Sequence, residues 1–170
     1  MSEASAVSVI PTRILAPIDF SASSRTALDM AADLADHFHA ELHLLHVIPM
    51  FSSTTLPDFI PEEKFLEEAR KDAEGHFASA QADLAAKGIR IVASVEESND
   101  VAGNIMEVID RDKIDMVVIS THGMTGWHPL VFGSIAEKIV KLAQCPLMLL
   151  RSARSETSVK IPSGRLMEWW

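Results

Sequence analysis

Apolar and polar positions along this chain switch repeatedly between two periods. Arg13-Ile-Leu-Ala-Pro-Ile-Asp19, Ala40-Glu-Leu-His-Leu-Leu-His-Val47, Ile89 to Val95, Asp115 to Ser120 and Pro146-Leu-Met-Leu-Leu150 are short apolar runs that read as strands. Between them the apolar residues recur at helical spacing. Ala27, Ala31, Leu34, Ala35 and Phe38 form one such stripe, and Leu66, Ala69, Ala73, Phe77, Ala80 and Leu84 another. Val101, Ile105, Val108 and Ile109 form a third, and Ile135, Ile139, Val140 and Ala143 the last. Ser21, Ser23 or Ser24 can cap the first helix, Asp100 can cap the third, and Gly88 can stop the second. Pro17 lacks an amide donor, so disturbed pairing is expected at the end of the first strand.

Strand and helix alternate throughout, which predicts an α/β fold. We expect a single doubly wound domain with a five-stranded parallel sheet flanked by four helices, in strand order 3-2-1-4-5. The expected divisions are a flexible segment over 1–10, a folded α/β domain over 11–151 and a tail over 152–170. Phe51 to Ile60 reads as a surface loop or a lid, and Trp169-Trp170 end the tail on an apolar note. In such sheets ligands sit outside the carboxyl ends of strands where the winding reverses. Asp19 and the segment after Ser120 are thereby expected on opposite lips of one crevice.

Composition narrows the partners. The chain has 170 residues, enough for one substantial core, and a net charge of −9, which argues against a nucleic-acid surface. No apolar run approaches the ~20 residues of a membrane span. The first residues lack the pattern of a signal peptide, and Cys145 is the only cysteine, so a cytoplasmic protein without an internal disulfide is expected.

The candidate chemistry lies in Ser120-Thr-His-Gly-Met-Thr-Gly-Trp-His-Pro-Leu-Val-Phe-Gly-Ser134, a glycine-bearing loop between a strand and a helix starting near Ile135. Glycine permits positive φ and close approach of backbone to a ligand. The amides after Gly133 open a helix, where unpaired N–H groups and the dipole favour anions. Plainer roles stand beside these. Ser134 and Glu137 fit the S-x-x-E capping box, a role compatible with ligand contact. Gly123 and Gly126 can be turn glycines, and Asp19 can cap a helix. His43 and His46 fall on opposite strand faces, which disfavours a shared metal with His39. Cys145 reads as a small buried apolar residue.

The strand Arg13 to Ser21, the loop Ser-Thr-His-Gly123, and Phe-Gly-Ser-Ile-Ala-Glu-Lys138 followed by Cys145-Pro146 together resemble the universal stress protein family, over roughly Arg13 to Arg151. The family's ATP-binding branch carries glycine, two residues, glycine, nine residues, glycine, then serine or threonine. Here Gly123, Gly133 and Ser134 match, while Ser120 replaces the first glycine and Met124 the common basic residue. The resemblance implies ATP, ADP or AMP as ligand. Asp19 would be on the ribose or adenine side, Ala16 and Pro17 would shape the pocket, and Val47 would meet adenine through its backbone. Gly123, Gly133 and Ser134 would hold ribose and phosphates, with Ser120, Thr121, His122, Gly126 and Ile135 completing the set. No lysine or arginine occurs from Ser120 to Ser134, so Mg²⁺ or Mn²⁺ would accompany the phosphates. The family also implies a homodimer through the last strand, Pro146 to Leu150.

Neither a G-x-x-x-x-G-K-[ST] loop nor a kinase catalytic loop is present, and no base is evident. A regulatory, stress-response role with at most slow ATP hydrolysis is expected. The alternatives are a relative that acts by protein contacts without nucleotide, and a hydrolase or transferase of related fold.

Overall fold

The computed structural model describes residues 10–50, 62–121 and 133–151. The chain runs β1 (Arg13–Pro17), α1 (Ala22–Phe38), β2 (Glu41–Pro49), α2 (Glu62–Ala85), β3 (Ile91–Ser98), α3 (Val101–Arg111), β4 (Met116–Ser120), α4 (Ser134–Leu142) and β5 (Leu147–Leu150). The five strands form one parallel sheet in the order β3-β2-β1-β4-β5, as the alternation predicts.

The central strands are apolar on both faces because both faces are covered. On one side Ile14, Ala16, Leu42, Leu44 and Val118 pack with Ala27, Ala31 and Ala35 of α1 and with Phe77 and Leu84 of α2. On the other, Leu15, Leu45, Val47, Val117 and Ile119 pack with Ile105, Val108 and Ile109 of α3 and with Ala136 and Ile139 of α4. Adjacent residues of β1 thus belong to different cores, as the period of two requires. The amino end of β1 is tied down by Asp115, whose carboxylate accepts from the backbone N–H groups of Thr12 and Arg13 and from the Thr12 hydroxyl.

Helix ends follow local chemistry. Ser21 caps α1 by accepting from Ser24 N–H, and Asp100 caps α3 by accepting from Gly103 N–H. His39, at φ 55°, closes α1, and Gly88, at φ 80°, lies just beyond α2. Several strand boundaries depart from the sequence expectation: β1 stops at Pro17 instead of Asp19, β3 starts at Ile91 instead of Ile89, and β2 and β4 each start one residue later, at Glu41 and Met116. β3 continues past Val95 to Ser98, because this edge strand tolerates polar residues: Glu97 pairs with Arg70 of α2 and Glu96 with Arg111 of α3. β2 likewise extends to Pro49, paired with Ser98, while β5 begins at Leu147, one residue past Pro146.

Candidate functional site

Pro17 shapes the crevice. β1 pairs with β4 only through Ile14↔Met116 and Leu15↔Val117, yet stays in register with β2 as far as Pro17↔Leu45. Ile18 N–H donates to Leu45 O at 2.8 Å, toward β2, so the alternation of the strand turns the nitrogen of Pro17 toward β4. That nitrogen carries no hydrogen, and the β1–β4 ladder stops there. β4 meanwhile remains zipped to β5 through Ser120↔Leu150. A gap therefore opens between the carboxyl ends of β1 and β4, at the reversal of winding where ligands bind in such sheets.

Beyond the gap, β2 exposes a backbone edge. Leu45 turns its peptide groups toward β1, so Val47, two residues on, turns its own N–H and C=O the same way, past the last paired residue of β1. The Val47 side chain is 8% exposed and belongs to the α3–α4 core. What Val47 offers the crevice is its backbone.

Asp19 lies on the first lip. Its Oδ1 accepts from Ser21 N–H at 3.0 Å and from Ser21 Oγ at 2.6 Å. Asp19 therefore does not cap α1 itself but orients the residue that does. Because the Ser21 hydroxyl proton goes to Asp19, the 3.0 Å contact with Ser23 is donated by Ser23. Phe20, at φ 62°, occupies a left-handed conformation that costs a non-glycine residue about 1–3 kcal/mol. Its ring stacks on His46 (4.5 Å), His76 (4.8 Å) and Phe77 (5.6 Å) on the α2 side. His46 Nδ1 lies 2.7 Å from Ile18 O, and since a carbonyl only accepts, Nδ1 carries the proton. His43 contacts Glu41 instead, at 2.9 Å, so the two histidines serve different neighbours.

On the second lip, Ser120 and Thr121 are buried. Thr121 N–H donates to Leu150 O, while Thr121 O accepts from Gly133 N–H at 2.7 Å, pinning the two ends of the intervening segment together. Gly133 does not use positive φ: its φ is −58°. Space explains the glycine, since a Cβ would stand 3.3 Å from Thr121 O, tighter than an ordinary contact. The same pinch sets the start of α4. Gly133 is the N-cap, no side chain caps the helix, and Ser134 is its first residue. The capping box expected of Ser134 and Glu137 does not form; Glu137 pairs with Lys141 at 2.7 Å, which holds its carboxyl below the usual range. Ser134 and Ile135 are exposed at the helix mouth, where the first amides lack intrahelical partners.

The fold thus brings Pro17, Asp19, Val47, Ser120, Thr121, Gly133, Ser134 and Ile135 to the carboxyl edge of the sheet. Ala16 is there too, but its side chain is wholly buried against α1. His122, Gly123, Gly126 and Met124 lie outside the described residues, as do Phe51 to Ile60 and Trp169-Trp170. Cys145 is half-buried beside the α3–α4 core, and burial raises its thiol pKa. A cavity of about 270 Å³ between α1 and α2, lined by Phe20, Leu28, His76 and Phe77 among others, includes none of the expected site residues. Sequence reasoning missed two features, the Phe20–His46 stack and Lys138. The signal for Lys138 was its spacing: it lies four residues after Ser134, on the same helix face.

The sequence model of the universal stress protein family matches residues 11–151. The chain belongs to the universal stress protein family. Among relatives, it is 26% identical over 144 residues to the universal stress protein MJ0531 of Methanocaldococcus jannaschii, covering 85% of this chain and 84% of that one. It is 28% identical over 147 residues to YxiE of Bacillus subtilis, covering 82% and 98%. Solved structures share the fold. UspA from Lactobacillus plantarum superposes with a TM-score of 0.73 at 21% identity, covering 82% of this chain and 97% of that one. A universal stress protein in complex with cAMP gives 0.62 at 15%, covering 84% and 98%. One from Archaeoglobus fulgidus in complex with dAMP gives 0.57 at 18%, covering 82% and 98%. Among the described residues, no helix of this universal stress protein is long and apolar enough to cross a membrane.

Proposed function

We propose that this universal stress protein binds an adenine nucleotide, with ATP as the leading ligand and ADP or AMP as lesser ones, and that its role is regulatory. The observation that carries the reading is the interrupted β1–β4 ladder, which leaves the Val47 backbone edge and the amides opening α4 on one crevice. A base read by peptide groups and phosphates read by helix-terminal amides need no charged side chain in the loop. The complexes of fold relatives with cAMP and dAMP support the same ligand class. Asp19 stands on the ribose and adenine side, Gly133 and Ser134 on the phosphate side, with Gly123 as the loop's second glycine. Mg²⁺ or Mn²⁺ neutralises the phosphates. Turnover is at most slow, since no general base is evident among the described residues. The setting is cytoplasmic.

Two copies pair through β5, an edge strand of four apolar residues beside the exposed Ile135, Val140 and Leu142 of α4. Sedimentation showing a monomer at working concentration rejects that pairing.

A second reading, a family member that works by protein contacts alone, draws on Ser120 and on the absence of a cation from Ser120 to Ser134. Calorimetric titration with ATP, ADP and AMP in Mg²⁺ decides between them. Binding supports the nucleotide reading, and absence of heat together with absence of a thermal shift rejects it in favour of the second.

A further inference from the structure

The segment from Ser120 to Ser134 has no lysine or arginine, and the first cation after it is Lys138, the fifth residue of α4. Lys138 lies one helical turn after Ser134, and long helical side chains lean back toward the N-terminus. Its Nζ donates to Asp100 Oδ2 at 2.7 Å. Asp100 is the N-cap of α3, and its other oxygen, Oδ1, accepts from Gly103 N–H at 3.0 Å. Gly103 makes room for this arrangement, because a Cβ there would stand 2.6 Å from Asp100 Oδ2. α3 and α4 lie on one face of the sheet, and both begin at its carboxyl edge, flanking a core that contains Val47 and Ile119. The Lys138–Asp100 pair therefore ties the two helix starts together beside the crevice.

Stability does not explain a lysine there. The two side chains are 44% and 54% exposed, and pairs this open contribute little. A cation near a helix N-terminus also opposes the dipole. An anion arriving at the α4 amides changes both terms: it gives the ammonium a second acceptor and competes directly with Asp100.

We propose that Lys138 supplies the phosphate-contacting cation that the loop lacks, and that Asp100 holds it at the crevice mouth until a nucleotide phosphate replaces the carboxylate. The proposal rests on the nucleotide reading above. It makes affinity depend on the phosphates through Lys138 while leaving recognition of the nucleoside untouched.

The test measures Mg²⁺-ATP and adenosine affinities side by side for the wild type, Lys138→Met, Lys138→Arg and Asp100→Asn, with a thermal melt of each to show that it is folded. Lys138→Met is expected to weaken ATP about tenfold, the scale of one charge-assisted hydrogen bond, with adenosine unchanged. Lys138→Arg should retain most of the ATP affinity. Asp100→Asn, which keeps a competent cap, should tighten ATP binding by removing the competing carboxylate. An ATP-to-adenosine ratio that is the same in every variant overturns the proposal and leaves the nucleotide reading standing. So does a parallel loss of both ligands in Lys138→Met. A wild type that binds neither ATP nor adenosine overturns the nucleotide reading itself, and this inference with it.

Discussion

Two serines that look alike in sequence should behave oppositely when truncated. Ser21 precedes α1 and Ser134 precedes the apolar stripe of α4, and each fits an N-cap pattern. In the fold, only Ser21 caps. Its Oγ accepts from Ser24 N–H and donates to Asp19, and both partners lose a bond in Ser21→Ala. Loss of a serine cap costs about 0.5–2 kcal/mol, and Asp19, which keeps its bond from the Ser21 backbone N–H, leaves the Ser21→Ala cost near the middle of that range. For a chain of this size, each kcal/mol lowers Tm by about 2–4 °C. Ser134 is already inside α4, exposed and without a capping bond, so Ser134→Ala should shift stability by no more than about 0.5 kcal/mol. Urea melts and calorimetry of the two variants measure the contrast. On the nucleotide reading Ser134→Ala still weakens ATP, because the hydroxyl sits at the helix mouth. A stability loss of about 1 kcal/mol in Ser134→Ala would refute the assignment of Gly133 as the cap.

Pro17→Ala restores an amide donor facing β4. One added hydrogen bond contributes about 1 kcal/mol, offset by the ~0.4–1 kcal/mol that proline contributes by restricting the unfolded chain. Stability should barely change while, on the nucleotide reading, affinity falls as the crevice narrows, and a protected new amide at position 17 with undiminished affinity would contradict this. Gly103→Ala would ordinarily stabilise a helix by up to about 1 kcal/mol. Here it should destabilise by displacing the Asp100 carboxylate, and the ordinary gain should reappear in the Asp100→Ala background, as a double-mutant cycle in urea will read. Asp100 also gives a pH signature. Lys138 and the Gly103 amide lower its pKa, so its stabilisation is present above the usual carboxylate range and is lost as pH falls through the depressed value. Stability profiles below about pH 4 should be flatter for Asp100→Asn than for the wild type.

The sheet order was legible because apolar runs and helical stripes alternate without interruption, and right-handed crossovers leave few ways to wind them. The two-faced burial of Ile14, Leu15 and Ala16 and the caps at Ser21 and Asp100 were equally local matters. Pro17 announced its own effect, since a missing donor needs no context. What escaped was tertiary. The Gly133–Thr121 hydrogen bond moves the start of α4 back to Ser134 and so cancels a capping box that the sequence spells correctly. Glu96 and Glu97 read as the end of a strand, because the arginines that hold them come from α2 and α3. Phe20 gave no warning of its left-handed turn, a conformation rare outside glycine, asparagine and aspartate. Lys138 meets Asp100 across 38 positions of sequence, beyond any local pattern.

The outward peptide edge of Val47 has a consequence for how this protein can vary. On the nucleotide reading, a guest molecule docked there would take the place of an absent strand, completing a ladder rather than filling a side-chain-shaped hole. Its recognition would then be written in the course of the main chain, while the valine side chain remains occupied with the interior. Exchange of Val47 for another aliphatic residue should leave that recognition intact. Chains of very different sequence can share the same molecular grip as long as the strand keeps its course.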